Sequence, residues 1–144
     1  LRVETIRTPH DAADGVAFVV DDGCRRLGIL TDLGHPFPEL DGVLESLDAV
    51  LLESNYDPRL LETGDYPAFL KDRIRGRHGH LSNDECAQLV RRYGKRLRWV
   101  CLGHLSDENN TPQHAERTFR RHVGEKLPFD VAPHYEPGRL LRVE

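Results

Sequence analysis

Polar and apolar positions alternate from the first residues, with Val3, Thr5 and Arg7 set against Arg2, Glu4 and Ile6. That period of two predicts a strand running to Thr8 and ending at Pro9-His10. Val16 to Val20 is apolar and β-branched and predicts a second strand. Asp21-Asp22-Gly23 behind it is a hairpin signal, so residues 16–20 and 26–31 are expected to pair antiparallel. In Arg26-Leu27-Gly28-Ile29-Leu30-Thr31-Asp32-Leu33-Gly34 the apolar run stops at an aspartate, which reads as a buried strand and the loop leaving its carboxyl end.

The period then lengthens. Leu40, Val43, Leu44 and Leu47 fall at helical spacing between Glu39 and Leu47, and Ala49-Val50-Leu51-Leu52 follows as a short buried strand ending in Glu53. Two apolar strands therefore each deliver a carboxylate to a loop. Pro58 to Glu62 and Pro67 to Ile74 read as helices with proline near the first turn, and Gly76 to His80 as a glycine-punctuated loop. Ser82 or Asn83 can cap the next helix, in which Cys86, Leu89, Val90 and Tyr93 share a face before Gly94. Leu97 to Leu102 is apolar on both faces, as a central strand with Trp99 in the core, and ends at Gly103-His104. Thr111-Pro112 opens a helix carrying Ala115, Phe119 and Val123 on one face, and Phe129 to Ala132 and Arg139 to Val143 read as weaker terminal strands. The order of elements is that of an α/β protein.

Composition narrows this. The 144 residues suffice for one domain or part of one, and no apolar run approaches the roughly 18 residues of a membrane helix. No charged-then-apolar leader is visible, and the start on Leu1 within a strand-like alternation predicts a segment cut from a longer protein. Cys24, Cys86 and Cys101 are odd in number and lack C-x-x-C spacing, so a reduced, cytoplasmic setting is expected. The net charge of −4 argues against a uniformly basic nucleic-acid coat. The charges are nevertheless uneven, with five Lys/Arg against fourteen Asp/Glu in residues 1–65 and nine against three between Lys71 and Arg98. That basic stretch is either solvated helix surface or a phosphate-facing edge.

Candidate chemistry lies at the strand ends. His10, Asp32 and His104 each follow a predicted strand, and Glu53 and His80 sit at a further strand end and a loop. Ligands of open α/β sheets gather outside the carboxyl ends of strands. Imidazole nitrogens and carboxylate oxygens are donors for Zn²⁺ and related ions, and a carboxylate can bridge two of them. An aspartate after a strand is also an ordinary turn former, and a lone strand-end histidine is often a surface residue. His35, His78, His114, His122 and His134 have no arguable partner and are assigned to solvated surface.

His10-Asp11-Ala12-Ala13, T-D-L-G at 31–34, L-L-E-S-N-Y-D at 51–57, G-H-L-S at 79–82 and L-G-H-L-S-D-E-N-N at 102–110 resemble the metallo-β-lactamase fold. Their order and separations agree together, including the 22 residues between His10 and Asp32. The branch resembled is that of the YycJ/WalJ-like hydrolases, relatives of the RNase Z and RNase J nucleases. The resemblance implies two divalent metal ions, zinc first and manganese second, with His10 on one ion, His104 on the other and Asp32 bridging them. It makes Glu53 and His80 a catalytic pair that protonates the leaving oxygen of a phosphodiester. Ser82, Asn109 and Asn110 become substrate contacts, with capping and turn formation as their structural alternatives.

The family's H-x-H-x-D-H motif is absent from these residues. The resemblance therefore implies that residues 1–144 are one partial domain, the C-terminal half of an αββα sandwich, inactive alone and dependent on an N-terminal half. The implied activity is a binuclear metal hydrolase acting on phosphodiesters, as an exonuclease of nucleic acid or a related phosphodiesterase, with no membrane partner. A thioester or lactam hydrolase of the same fold, or a non-catalytic interaction module retaining half the site, are the alternatives. Oligomeric state has no signature.

Overall fold

Alternation at the start of the chain produces a hairpin-linked trio: β1 (Arg2–Arg7), β2 (Val16–Asp21) and β3 (Arg26–Leu30), antiparallel in sequence order. The β2–β3 turn is closed by its aspartates. Asp21 accepts from the Gly23 N–H, where φ is +90°, and Asp22 accepts from the N–H groups of Cys24 and Arg25. A computed structural model describes residues 1–143.

Beyond β3 the period changes and so does the connection. α1 (Pro38–Ser46) crosses to β4 (Ala49–Glu53), which lies parallel to β3. α2 (Pro58–Thr63), α3 (Ala68–Arg75) and α4 (Asn83–Tyr93) lead to β5 (Trp99–Gly103), and α5 (Pro112–Val123) leads to β6 (Phe129–Val131). The result is one six-stranded sheet in the order β1-β2-β3-β4-β5-β6, parallel from β3 onward. Parallel strands joined by helices must all end at the same edge. That edge carries the candidate residues.

The two faces of the sheet differ. Ala17, Val19, Leu30, Val50, Leu52, Val100 and Leu102 pack with Leu40, Leu44, Cys86, Val90, Ala115 and Phe119 of α1, α4 and α5 in one buried core. Their strand neighbours point the other way, and there Val16, Phe18 and Ile29 remain 37–40% exposed. Trp99 shares this open side through the Leu27–Ala49–Trp99 register, so it is half-buried rather than core, its indole N–H donating to the Arg142 carbonyl. Arg139 to Val143 is not a strand. Arg139 is held to Asp130 by its side chain and Leu140 is exposed, so this stretch lies by β6 without a backbone ladder. No described helix is long and apolar enough to cross a membrane.

Candidate metal centre

The register Leu30–Leu52–Leu102 aligns the ends of β3, β4 and β5, so the residues that follow come together. Asp32 and His104 both take left-handed backbone conformations, φ 53° and 56°. Such a conformation is unfavourable for a residue with a Cβ and is least so for Asn, Asp and His. Asn55 holds one of them by donating from its amide to the His104 carbonyl at 2.7 Å. Gly34 permits the other loop to close, since a Cβ there would sit 2.6 Å from the Arg77 carbonyl oxygen and 3.3 Å from the His10 nitrogen.

Three imidazoles line up over this edge. Ring centroids are 4.7 Å apart for His10 and His80 and 5.3 Å for His80 and His104. His10 donates from Nδ1 to the Gly79 carbonyl at 2.7 Å, leaving Nε2 free 3.4 Å from Asp32 Oδ1. His104 donates from Nδ1 to Glu53 Oε1 at 2.9 Å, and its Nε2 is 3.8 Å from the same Asp32 oxygen. His80 also donates from Nδ1 to Glu53 Oε1, at 2.6 Å. A carbonyl or carboxylate oxygen only accepts, so each of these Nδ1 atoms carries the proton. Where such a ring is neutral, Nε2 keeps its lone pair, the state in which imidazole binds a metal.

The two carboxylates differ. Glu53 is fully buried; Oε1 accepts from His80 and His104 and Oε2 from the Leu33 N–H at 2.9 Å. Burial pushes its carboxyl up, but the hydrogen bonds from His104, His80 and Leu33 outweigh it and hold it down at about 2. The same bond to Glu53, against an opposing effect of burial, raises the His104 imidazole above its ordinary value. Asp32, by contrast, is 42% exposed and faces the imidazoles. Asp32, Glu53, His80 and His104 each offer one donor atom within 4.8 Å of the others. With both Glu53 oxygens engaged, that residue is suited to orienting the histidines, while Asp32 and the Nε2 atoms of His80 and His104 are left as donors, and His10 Nε2 stands 3.4 Å from both Asp32 Oδ1 and Asp11 Oδ1. This mix of nitrogen and carboxylate oxygen fits a zinc-type divalent cation.

Ser82, Asn109 and Asn110 are all buried. Ser82 caps α4 in a reciprocal box with Glu85. The Asn110 amide nitrogen donates to Ser54 O, Asn55 O and Asn83 Oδ1, and its oxygen accepts from Asn83 Nδ2 and the Thr111 N–H. Ser54 Oγ also donates to Asn83 Oδ1. This network fastens the end of β4 to the starts of α4 and α5. Asn55, Asn83 and Gly79 thus support the site although the sequence assigns none of them a site role. Asn55 and Gly79 lie inside the L-L-E-S-N-Y-D and G-H-L-S motifs, and Asn83 reads only as a cap.

Several histidines assigned to bare surface have partners. His35 Nδ1 donates to Arg77 O at 2.7 Å and His78 Nδ1 to Pro9 O at 2.5 Å, joining the loops around His10. His114 bonds Thr111, His122 bonds Asp84 and His134 lies 3.0 Å from Asp107. The basic stretch is divided in space. Arg73 pairs with Asp11 and Arg75 with Asp72 and Glu62, whereas Arg91 and Arg92 close α4 at the far end of the sheet.

Similarity to known proteins is consistent along most of the chain. It is 37% identical over 120 residues to the exodeoxyribonuclease WalJ of Streptococcus pneumoniae, covering 81% of this chain and 44% of that protein. It is 30% identical over 137 residues to the exodeoxyribonuclease YycJ of Bacillus anthracis, covering 94% of this chain and 52% of that one. The chain thus spans about half the length of the curated relatives it matches. The metallo-β-lactamase fold protein YhfI of Bacillus subtilis superposes with a TM-score of 0.66 at 15% identity, over 90% of this chain and 46% of YhfI. Zn²⁺-bound PqqB of Methylobacterium extorquens gives 0.58 at 17% identity, over 90% and 47%. No protein-family model matches the chain.

Proposed function

We propose, on the premise that this chain is a YycJ/WalJ-like protein of the metallo-β-lactamase fold, that it supplies half of a binuclear metal-dependent phosphodiesterase. The reading is of an exonuclease of nucleic acid, completed by an N-terminal half whose sheet packs on the open side of this one. Val16, Phe18 and Ile29, exposed there, support that packing. The observation that carries the activity is the pair His10 and His104, each with Nδ1 donated and Nε2 facing Asp32 Oδ1.

Asp32, His10 and His104 would hold the ions, zinc first and manganese second, with Asp32 shared between them. Bound divalent ions supply Lewis acidity toward a phosphoryl oxygen and lower the pKa of water. Glu53, ionised at neutral pH, keeps His104 in the tautomer that presents Nε2. It also fixes His80 through Nδ1, so Nε2 is the atom from which a protonated His80 hands a proton to the leaving alkoxide. His80 borders a recess of about 230 Å³ that also touches His10, Leu70, Arg73 and Ile74, which gives the leaving group room beside that atom.

The test uses protein that includes the upstream half. His80→Ala is expected to keep its metal content and lose at least ~100-fold in phosphodiester turnover. Unchanged turnover removes His80 from the mechanism, and faster hydrolysis of a thioester than of a phosphodiester by the unaltered protein overturns the substrate class.

A further inference from the structure

The residues that best fit a nucleic-acid backbone are not in the basic run of the sequence. A cleft of about 540 Å³ opens between α2 and α5, lined by Arg59, Thr63, Arg117 and Arg121 together with Asp57 and Asp84. Its elements begin where β4 and β5 end, so it lies at the same edge of the sheet as Glu53 and His104.

The carboxylates of the cleft are already engaged. Asp57 accepts from the N–H groups of Arg59 and Leu60 as the cap of α2. Asp84 is held by Arg121 at 2.7 Å and His122 at 2.8 Å. Arg59 and Arg117, from different helices, form no ion pair among the described residues. A cleft that brings two unpaired guanidinium groups together, with Asp84 paired to Arg121 and the Asp57 carboxylate committed to backbone N–H groups, favours an anion with several acceptor oxygens. In α3 beside it, Arg73 and Arg75 already pair with Asp11, Asp72 and Glu62.

Chain length bounds the separation. Arg59 is six residues beyond Glu53, at most about 22 Å of extended chain. At roughly 3.4 Å per nucleotide of stacked strand, that bound corresponds to about six nucleotides. We propose that Arg59 and Arg117 bind a backbone phosphodiester of the same nucleic-acid strand, a few nucleotides from the one presented to Asp32, His10 and His104. The proposal rests on the nucleic-acid reading above, and assigns to the α2–α5 cleft the task of retaining the strand between successive cuts.

The experiment measures binding of a single-stranded oligodeoxynucleotide across a salt series, in chelator, to protein including the upstream half. R59A/R117A is compared with R59K/R117K and the unaltered protein, and turnover of bis(p-nitrophenyl) phosphate is followed with metal. The alanine pair is expected to flatten the slope of log affinity against log salt by about 0.7, the loss of one single-strand phosphate contact. The lysine pair should keep the slope, and turnover of the small diester should be the same in all three. Equal slopes in the alanine pair and the unaltered protein, with the oligonucleotide bound, overturn the cleft while leaving the phosphodiesterase reading intact. Absence of oligonucleotide binding by the unaltered protein overturns the nucleic-acid reading and the cleft with it.

Discussion

The loops after β3 and β4 begin alike and end differently. Each is an apolar strand delivering a carboxylate to the same sheet edge, yet Asp32 stands 42% exposed on left-handed backbone and Glu53 is fully buried on the strand itself. Asp32 accepts no hydrogen bond among the described residues and faces the imidazoles. Glu53 engages both oxygens with Leu33, His80 and His104. A carboxylate bound for a metal must remain accessible and anionic, whereas one that orients ligands must be dry and saturated. In the proposed site the same local sequence design would serve these two tasks, and the difference lies in how far the chain runs past the strand before the acid appears.

That contrast can be broken from either side, in protein including the upstream half. Asp32→Ala is expected to have the largest effect, weakening metal binding by more than ~100-fold, beyond what loss of an outer-shell partner causes. Chelator competition measures it, and retention of metal would end the distinction between the two acids. Glu53→Gln should weaken metal binding by about 10–100-fold, since a neutral amide holds the imidazoles less firmly.

Glu53→Gln should also change acid stability in the metal-free protein. Glu53 is held at about 2 in the fold against an ordinary 4.5, so its contribution is complete above about 4.5 and is lost as pH falls toward 2. His104, raised above its ordinary 6.5, contributes below that value and loses its contribution as pH rises through its folded value. Melting temperature followed across pH should therefore fall at both ends in the unaltered protein and flatten in Glu53→Gln. The smallest effect is expected from Asp32→Gly, which relieves the left-handed backbone and should shift stability by less than about 1 kcal/mol, read as a small change in melting temperature. A large loss of stability there would make Asp32 a structural residue.

Much of this organisation is legible in the residues. The alternation at Arg2–Arg7, the helical spacing of Leu40 and Leu44 and the aspartate turn at 21–23 locate elements to within a residue or two, because local geometry dictates each of them. His10, Asp32, Glu53, His80 and His104 follow from strand ends, and the structure brings all five together. What could not be read depends on which residues become neighbours across the fold. Glu53 is a partner of His104 as well as of His80, a contact across 51 residues that no local pattern encodes. The basic run, either solvated helix surface or a phosphate-facing edge by sequence, is divided between α3 and the last turn of α4. Trp99 looked central because its strand is apolar on both sides, but one of those sides has no helix over it.

Glu53 Oε1 accepts hydrogen bonds from two rings, and that sharing has a hereditary consequence. A substitution at His80 changes how strongly the remaining imidazole can claim the carboxylate, so its effect depends on what stands at 104. The pair should be strongly non-additive in a double-mutant cycle. A lineage could not readily retune the ring at 80 while leaving the ring at 104 untouched, and drift at either position would be constrained by the other's present identity.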